Sequence, residues 1–99
     1  MILRVWHGYT APQDADTYEA MLRETILPDI HRVAGFRGAY LGRRNADQEV
    51  EFLTLTLWES MDAVRAFSDN GRAVVHDAAR PLLMRFDEFS THYEASFVP

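Results

Sequence analysis

The chain has 99 residues, 47% of them hydrophobic and 25% charged, with a formal net charge of −5 and no cysteine. That length makes a single domain, residues 1–99, which buries only roughly 60–65% of the surface its unfolded form exposes, so assembly with a second copy adds useful burial. The acidic balance without a Lys/Arg run argues against nucleic acid and anionic membrane as partners, the missing cysteines exclude disulfides and thiolate chemistry, and no apolar run approaches the roughly 20 residues of a membrane span.

Met1 leads straight into a strand pattern, without the basic and apolar regions of a signal peptide, so a cytoplasmic protein is expected. Ile2–Tyr9 is the first strand, with Leu3, Val5 and His7 on one face and Ile2, Arg4 and Trp6 on the other. Thr10–Gln13 turns at Pro12. Asp16 then reads as an N-cap, with Glu19 three residues on in capping-box spacing. Tyr18, Met21, Leu22, Ile26, Ile30 and Val33 recur at three- and four-residue steps, the stripe of an amphipathic helix. Pro28 interrupts it, because proline lacks an N–H and crowds the preceding turn, and a kink or break near Leu27 is predicted. Gly35 closes the helix as its C′ residue.

Phe36–Arg44 and Glu49–Glu59 form a hairpin across the polar turn Asn45–Gln48. Gly38 and Gly42 suit an edge strand or a bulge where something approaches closely. Glu49–Glu59, EVEFLTLTLWE, is the longest strand signal, and it is apolar or β-prone on both sides. Leu53, Leu55 and Leu57 share one; Val50, Phe52, Thr54, Thr56 and Trp58 share the other. Ser60 caps a second helix that buries Met61, Val64 and Phe67, and Ser68–Gly71 breaks it. A third helical piece is predicted from Arg72 to about Arg80, ended by Pro81, followed by one long strand, Phe86–Val98.

The order β-α-β-β-α-β, with right-handed crossovers, predicts an α+β ferredoxin-like fold: an antiparallel four-stranded sheet with both helices on one face. The leucine side of the third strand is expected beneath the helices. Ile2, Trp6, Phe52 and Trp58 then lie on the open face, a patch larger than monomers usually expose, and a homodimer packed sheet against sheet is predicted. The competing solution is a monomer whose C-terminal segment folds back over that face.

The run Leu55–Phe67, LTLWESMDAVRAF, preceded by VAGFRGAYLGRR at Val33–Arg44, resembles the antibiotic biosynthesis monooxygenase (ABM) superfamily. The likeness extends from Ile2 to Glu94. It comprises the first strand, a helix ending at Ala34-Gly35-Phe36, the Trp58-Glu59-Ser60 junction between strand and helix, and a late histidine-bearing helix. It implies a dimeric α+β barrel. The superfamily includes cofactor-independent oxygenases of quinols and anthrones as well as haem-degrading oxygenases, so the reaction must be argued from the site. Haem-degrading members are similar in placing a polar residue late in strand one, a Trp in helix two and an iron-ligating His on the following helix. Those places hold His7, Phe67 and His76 in this chain, and the His is the match. Quinol- and anthrone-oxidising members resemble it in a Trp at the end of strand three, matched by Trp58. Some carry an Asn four residues earlier, where Thr54 stands.

Among the residues themselves, His7 shares a face with Leu3 and Val5 and is expected between sheet and helices. An imidazole there can orient or deprotonate a phenol near neutral pH; the plainer reading is a core-edge histidine bonded to backbone. Arg72, His76 and Arg80 fall at four-residue steps and predict a basic ridge. It is either a solvated face or a rim for the carboxylate or phenolate of an aromatic ligand, with His76 nearest the reactive part. Trp58, Tyr40 and Phe67, with Trp6, are either plain core or the walls of an aromatic pocket opened by the Pro28 kink and the strand-two glycines. The histidines lack metal-motif spacing, so no metal site is expected. The resemblance implies a monooxygenase, an oxidoreductase that needs no cofactor and acts on a small hydroxylated aromatic molecule. The candidate catalytic residues are His7 and His76, and Phe67, Arg72, Arg80, Trp58 and Tyr40 are candidate ligand-binding residues. The alternatives are a non-catalytic small-molecule-binding or structural homodimer of the same fold, and a haem-binding oxygenase using His76.

Overall fold

Three strands frame the computed structural model, which describes residues 1–99 apart from the side chain of Asp69. β1 (Ile2–Thr10), β2 (Phe36–Ala46) and β3 (Glu49–Trp58) pair antiparallel in the order β2-β3-β1. β4 (Leu83–Phe86) and β5 (Thr91–Glu94) both pair with the other edge of β1. The result is the ferredoxin-like α+β sheet that the element order predicts, with its last strand in two pieces. Residues 87–90 leave the ladder because Asp87 takes over β1's bonds there. Its N–H donates to the His7 carbonyl at 2.9 Å, and its carboxylate accepts the His7 N–H at 3.0 Å. Phe89 bridges to Arg72 instead. Beyond β5 the chain runs into solvent, with Phe97 88% exposed, so the tail does not cover the sheet.

The first helical layer is α1 (Ala15–Met21), a π-helical turn (Leu22–Ile26) and α2 (Leu27–His31), continuous with one another. The irregularity predicted near Leu27 takes the form of that turn. Pro28 has no N–H to give the Glu24 carbonyl, and the Leu27 N–H reaches back to the Leu22 carbonyl in the wider π pattern. The helix begins one turn earlier than expected, through Pro12–Asp14, with Asp14 rather than Asp16 at the N-cap. Asp16 instead accepts from Arg43 at 2.8 Å. Gly35 lies beyond the helix end, at φ +88°, where a Cβ would come within 2.4 Å of the Ala63 Cβ. α3 (Met61–Phe67) starts as predicted, Ser60 Oγ accepting the Ala63 N–H at 3.2 Å.

The third helical piece does not form. Asn70 and Gly71 both take left-handed backbone, and Arg72 is drawn into its bridge with Phe89. Residues 73–76 are irregular, followed by a turn at 77–79 and a 3-10 turn at Arg80–Leu82. No helix is long and apolar enough to cross a membrane.

The two faces of β3 are the reverse of the expected arrangement. Val50, Phe52, Thr56 and Trp58 lie buried beneath the helices. Tyr18 meets Phe52 edge-on at 4.9 Å, and Phe67 stacks on Trp58 at 5.0 Å. Leu53, Leu55 and Leu57 stand on the outer face, in register with His7, Val5 and Leu3 of β1 and with Gly42, Tyr40 and Gly38 of β2. Alternation dictates which side chains share a face, but not which face the helices cover. Packing volume decides it. The helical side contributes Ala15, Ala63 and Ala79, small groups that leave space for the phenyl and indole rings.

Candidate functional site

A cleft separates the sheet from the first helical layer. Arg4 and Trp6 of β1 with Thr54 and Thr56 of β3 form its floor. Leu22, Ile26, Leu27 and Ile30 form one wall, so the π turn borders it. Phe67 of α3 and the irregular segment Val74-Val75-His76 form the other. It is a slot whose empty space, open mouth included, is about 570 Å³. Inward phase on β1 places Trp6 on the floor, and its Nε1 donates to the Asp87 carbonyl at 2.8 Å. Gly8, next in that phase, leaves the ring its room: a Cβ there would lie 2.9 Å from the indole.

Arg4 is only 5% exposed. Nη1 donates to His92 Nε2 at 3.0 Å and Nη2 to the Arg72 carbonyl at 3.2 Å, while the guanidinium lies 5.3 Å from the centre of the Phe67 ring. A guanidinium can only donate, so His92 Nε2 accepts and the imidazole is neutral, with its proton on Nδ1. Burial, and then the Arg4 charge, lower the His92 pKa in the same sense. Burial lowers that of Arg4 as well. Among the described residues no carboxylate pairs with Arg4. Thr54 Oγ1 and Ser90 Oγ, which also line the cleft, are buried without hydrogen-bond partners.

His76 Nδ1 accepts the Ala78 N–H at 3.1 Å. That bond assigns the proton of the neutral ring to Nε2, which is then a donor.

Of the residues predicted from sequence, His76 and Phe67 line the cleft together. Trp58 is fully buried beneath Phe67, its Nε1 donating to Thr56 Oγ1 at 2.8 Å. Tyr40 is 72% exposed on the outer sheet face, opposite Leu55. His7 is on that outer face too, its Nδ1 2.8 Å from Asp87 Oδ2, and not between sheet and helices. The phase of β1 turns Arg4 and Trp6 inward, and His7 must then face out. The basic ridge is absent because its helix is absent. Arg72 reaches Glu88 at 3.2 Å and lies over Phe89, and Arg80 lies over Phe86. Sequence reasoning missed Arg4 and His92. An arginine in phase with Ile2 and Trp6 on an apolar strand was the available signal, since arginine is seldom fully buried without a partner. Nothing local ties it to a residue 88 positions away.

Residues 1–79 match the sequence profile described as antibiotic biosynthesis monooxygenase. No curated protein is matched in sequence. A Deinococcus radiodurans structure assigned to the antibiotic biosynthesis monooxygenases superimposes with a TM-score of 0.72 at 16% identity, covering 100% of this chain and 96% of its own. A variant of MhuD with two manganese protoporphyrin IX molecules bound per active site gives 0.70 at 16% identity, covering 100% and 98%. The ActVA-Orf6 monooxygenase of Streptomyces coelicolor, in complex with Nanaomycin D, gives 0.69 at 19% identity, covering 99% and 91%. At such identities the likeness is one of fold.

Proposed function

Because the chain belongs to the antibiotic biosynthesis monooxygenase family, we propose that its cleft oxygenates a small hydroxylated aromatic molecule of quinol or anthrone type, with the substrate itself reducing dioxygen. The observation that carries the reading is the slot, apolar on its walls, with Trp6 and Phe67 as flat contacts and donor groups at Arg4 and His76. The Streptomyces monooxygenase that holds Nanaomycin D in the same fold supports it.

An anthrone-like substrate reacts as its enolate or phenolate anion. Carbon–oxygen bond formation with dioxygen gives a hydroperoxide at the former methylene carbon. Loss of water, taking the second hydrogen, leaves a carbonyl. One methylene and one dioxygen thus become one ketone carbonyl and one water, with every electron drawn from the substrate. The protein's part is to position the ring, stabilise the anion and keep bulk water out. In the tautomer set by Ala78, His76 acts by donating Nε2–H to the substrate oxygen rather than by accepting a proton.

The haem alternative has weaker support in these residues. With Nδ1 engaged as an acceptor, His76 carries its proton on the nitrogen that would have to bind iron, and Phe67 stands where the haem-degrading members have Trp. The haem reading asks this ring to move its proton to Nδ1 and give up the Ala78 bond. Family membership and the apolar outer face formed by Leu3, Val5, Leu53, Leu55 and Leu57 favour a homodimer that packs these faces together, with His7 in the seam.

Oxygen uptake with a panel of quinols and anthrones tests the reading. Wild type is expected to exceed the background rate. His76→Ala should lose roughly ten- to a hundredfold, the scale of one oxyanion donor partly replaced by water, while His7→Ala should keep its rate per folded molecule. Background rates across the whole panel would sink the oxygenase and leave the non-catalytic binding dimer.

A further inference from the structure

We propose that the cleft selects ligands bearing an anionic oxygen, a carboxylate or an ionised phenol, and that Arg4 is the residue that holds it. The proposal rests on the cleft being the aromatic site described above, and it adds the charge of what enters. A guanidinium does not shed its proton near neutral pH, so a buried one calls for a counter-charge. Among the described residues Arg4 has none. Its hydrogen bonds go to two neutral groups, His92 Nε2 and the Arg72 carbonyl, and the Phe67 face offers partial compensation. His92 brings no negative charge, since it accepts from Arg4 as a neutral ring. The guanidinium carries more N–H donors than these bonds use.

Two further groups converge on the same slot. Thr54 and Ser90 line it, and their Oγ atoms are buried without hydrogen-bond partners. A cation with no carboxylate partner among the described residues, beside orphaned hydroxyls and under apolar walls, is the chemical complement of a flat ring with one anionic oxygen. The cations that sequence spacing offered for this task, Arg72 and Arg80, are engaged with Glu88 and Phe86 instead. An anion at Arg4 would also meet the needs of an oxygenation that proceeds through an ionised substrate.

Trp6 lines the cleft, so quenching of tryptophan fluorescence reports occupancy. Two matched pairs serve as probes: 2-naphthoate against 2-naphthamide, and ionised 2-hydroxyanthraquinone against its methyl ether. Wild type is expected to bind the charged member of at least one pair roughly ten- to a hundredfold more tightly, the worth of a charge-assisted hydrogen bond. The pair that shows the preference identifies the group. Arg4→Met, which retains bulk without charge, should abolish the preference. Equal affinities within both pairs in wild type overturn the anion site, whether or not Arg4→Met folds, and leave the aromatic cleft standing. A preference retained in folded Arg4→Met also overturns it. Failure of all the probes to bind overturns the anion site and the aromatic cleft together. A charge preference without oxygen uptake supports Arg4 and removes only the oxygenase.

Discussion

Which face of β3 is the core can be decided by two alanine substitutions. Phe52 is fully buried, edge-on to Tyr18 at 4.9 Å, with the Arg43 guanidinium over its ring. Phe52→Ala deletes a whole ring from a closed layer, a change that costs about 3–5 kcal/mol. A domain of this size has only about 5–15 kcal/mol in total. At about 4–8 °C per kcal/mol the melting temperature should fall on the order of 20–30 °C. Leu55 is partly exposed on the outer face. Leu55→Ala should cost about 1 kcal/mol within one subunit, a fraction of the full burial energy of a leucine. Any further loss should appear only through assembly, and so depend on protein concentration. Denaturant unfolding at about 1 and about 100 micromolar separates the two contributions, with light scattering to report whether the 11.4 kDa chain runs at one or two copies. If Leu55→Ala at the lower concentration is as damaging as Phe52→Ala, the leucines are the monomer's core and the assignment of faces is wrong.

Two further outcomes test local features. Asp87→Ala removes the acceptor of both the His7 N–H and its ring nitrogen, at a site where both side chains are about a third exposed. A loss of about 1–2 kcal/mol in urea unfolding is expected after allowing for solvent screening. His7→Ala should cost less, because the backbone bond to Asp87 survives it; equal losses would place the energy in the ring contact instead. Burial raises the Tyr18 pKa above the ordinary 10.0. The folded state therefore holds its phenolic proton where the unfolded chain has lost it. Stability should be unaffected below pH 10.0 and decline as pH rises above it. An ultraviolet difference titration in which Tyr18→Phe removes a normal phenolic ionisation from the folded protein would refute the closed packing of that ring.

Much of the fold was legible in the chain because it rests on short-range physics. Strand alternation, the Ser60 cap, the hairpin turn at Asp47 with its positive φ and the disturbance ahead of Pro28 each depend on neighbours within a turn or two. The sequence alone thus determined the order of elements as far as α3, the sets of residues that share a face, and the family. The helical spacing of residues 72–80 was equally local and was overridden, since the Arg72–Phe89 bridge and the left-handed pair Asn70-Gly71 hold that stretch out of a helix. Tertiary structure decided which face of the sheet the helices cover, because that depends on the volume between layers rather than on any periodicity. It also decided the polar floor of the cleft. Arg4 meets His92, and Trp6 meets Asp87, across separations of 81 to 88 residues. Contacts at that distance form only when the last strands close on β1, and no spacing within the chain encodes them.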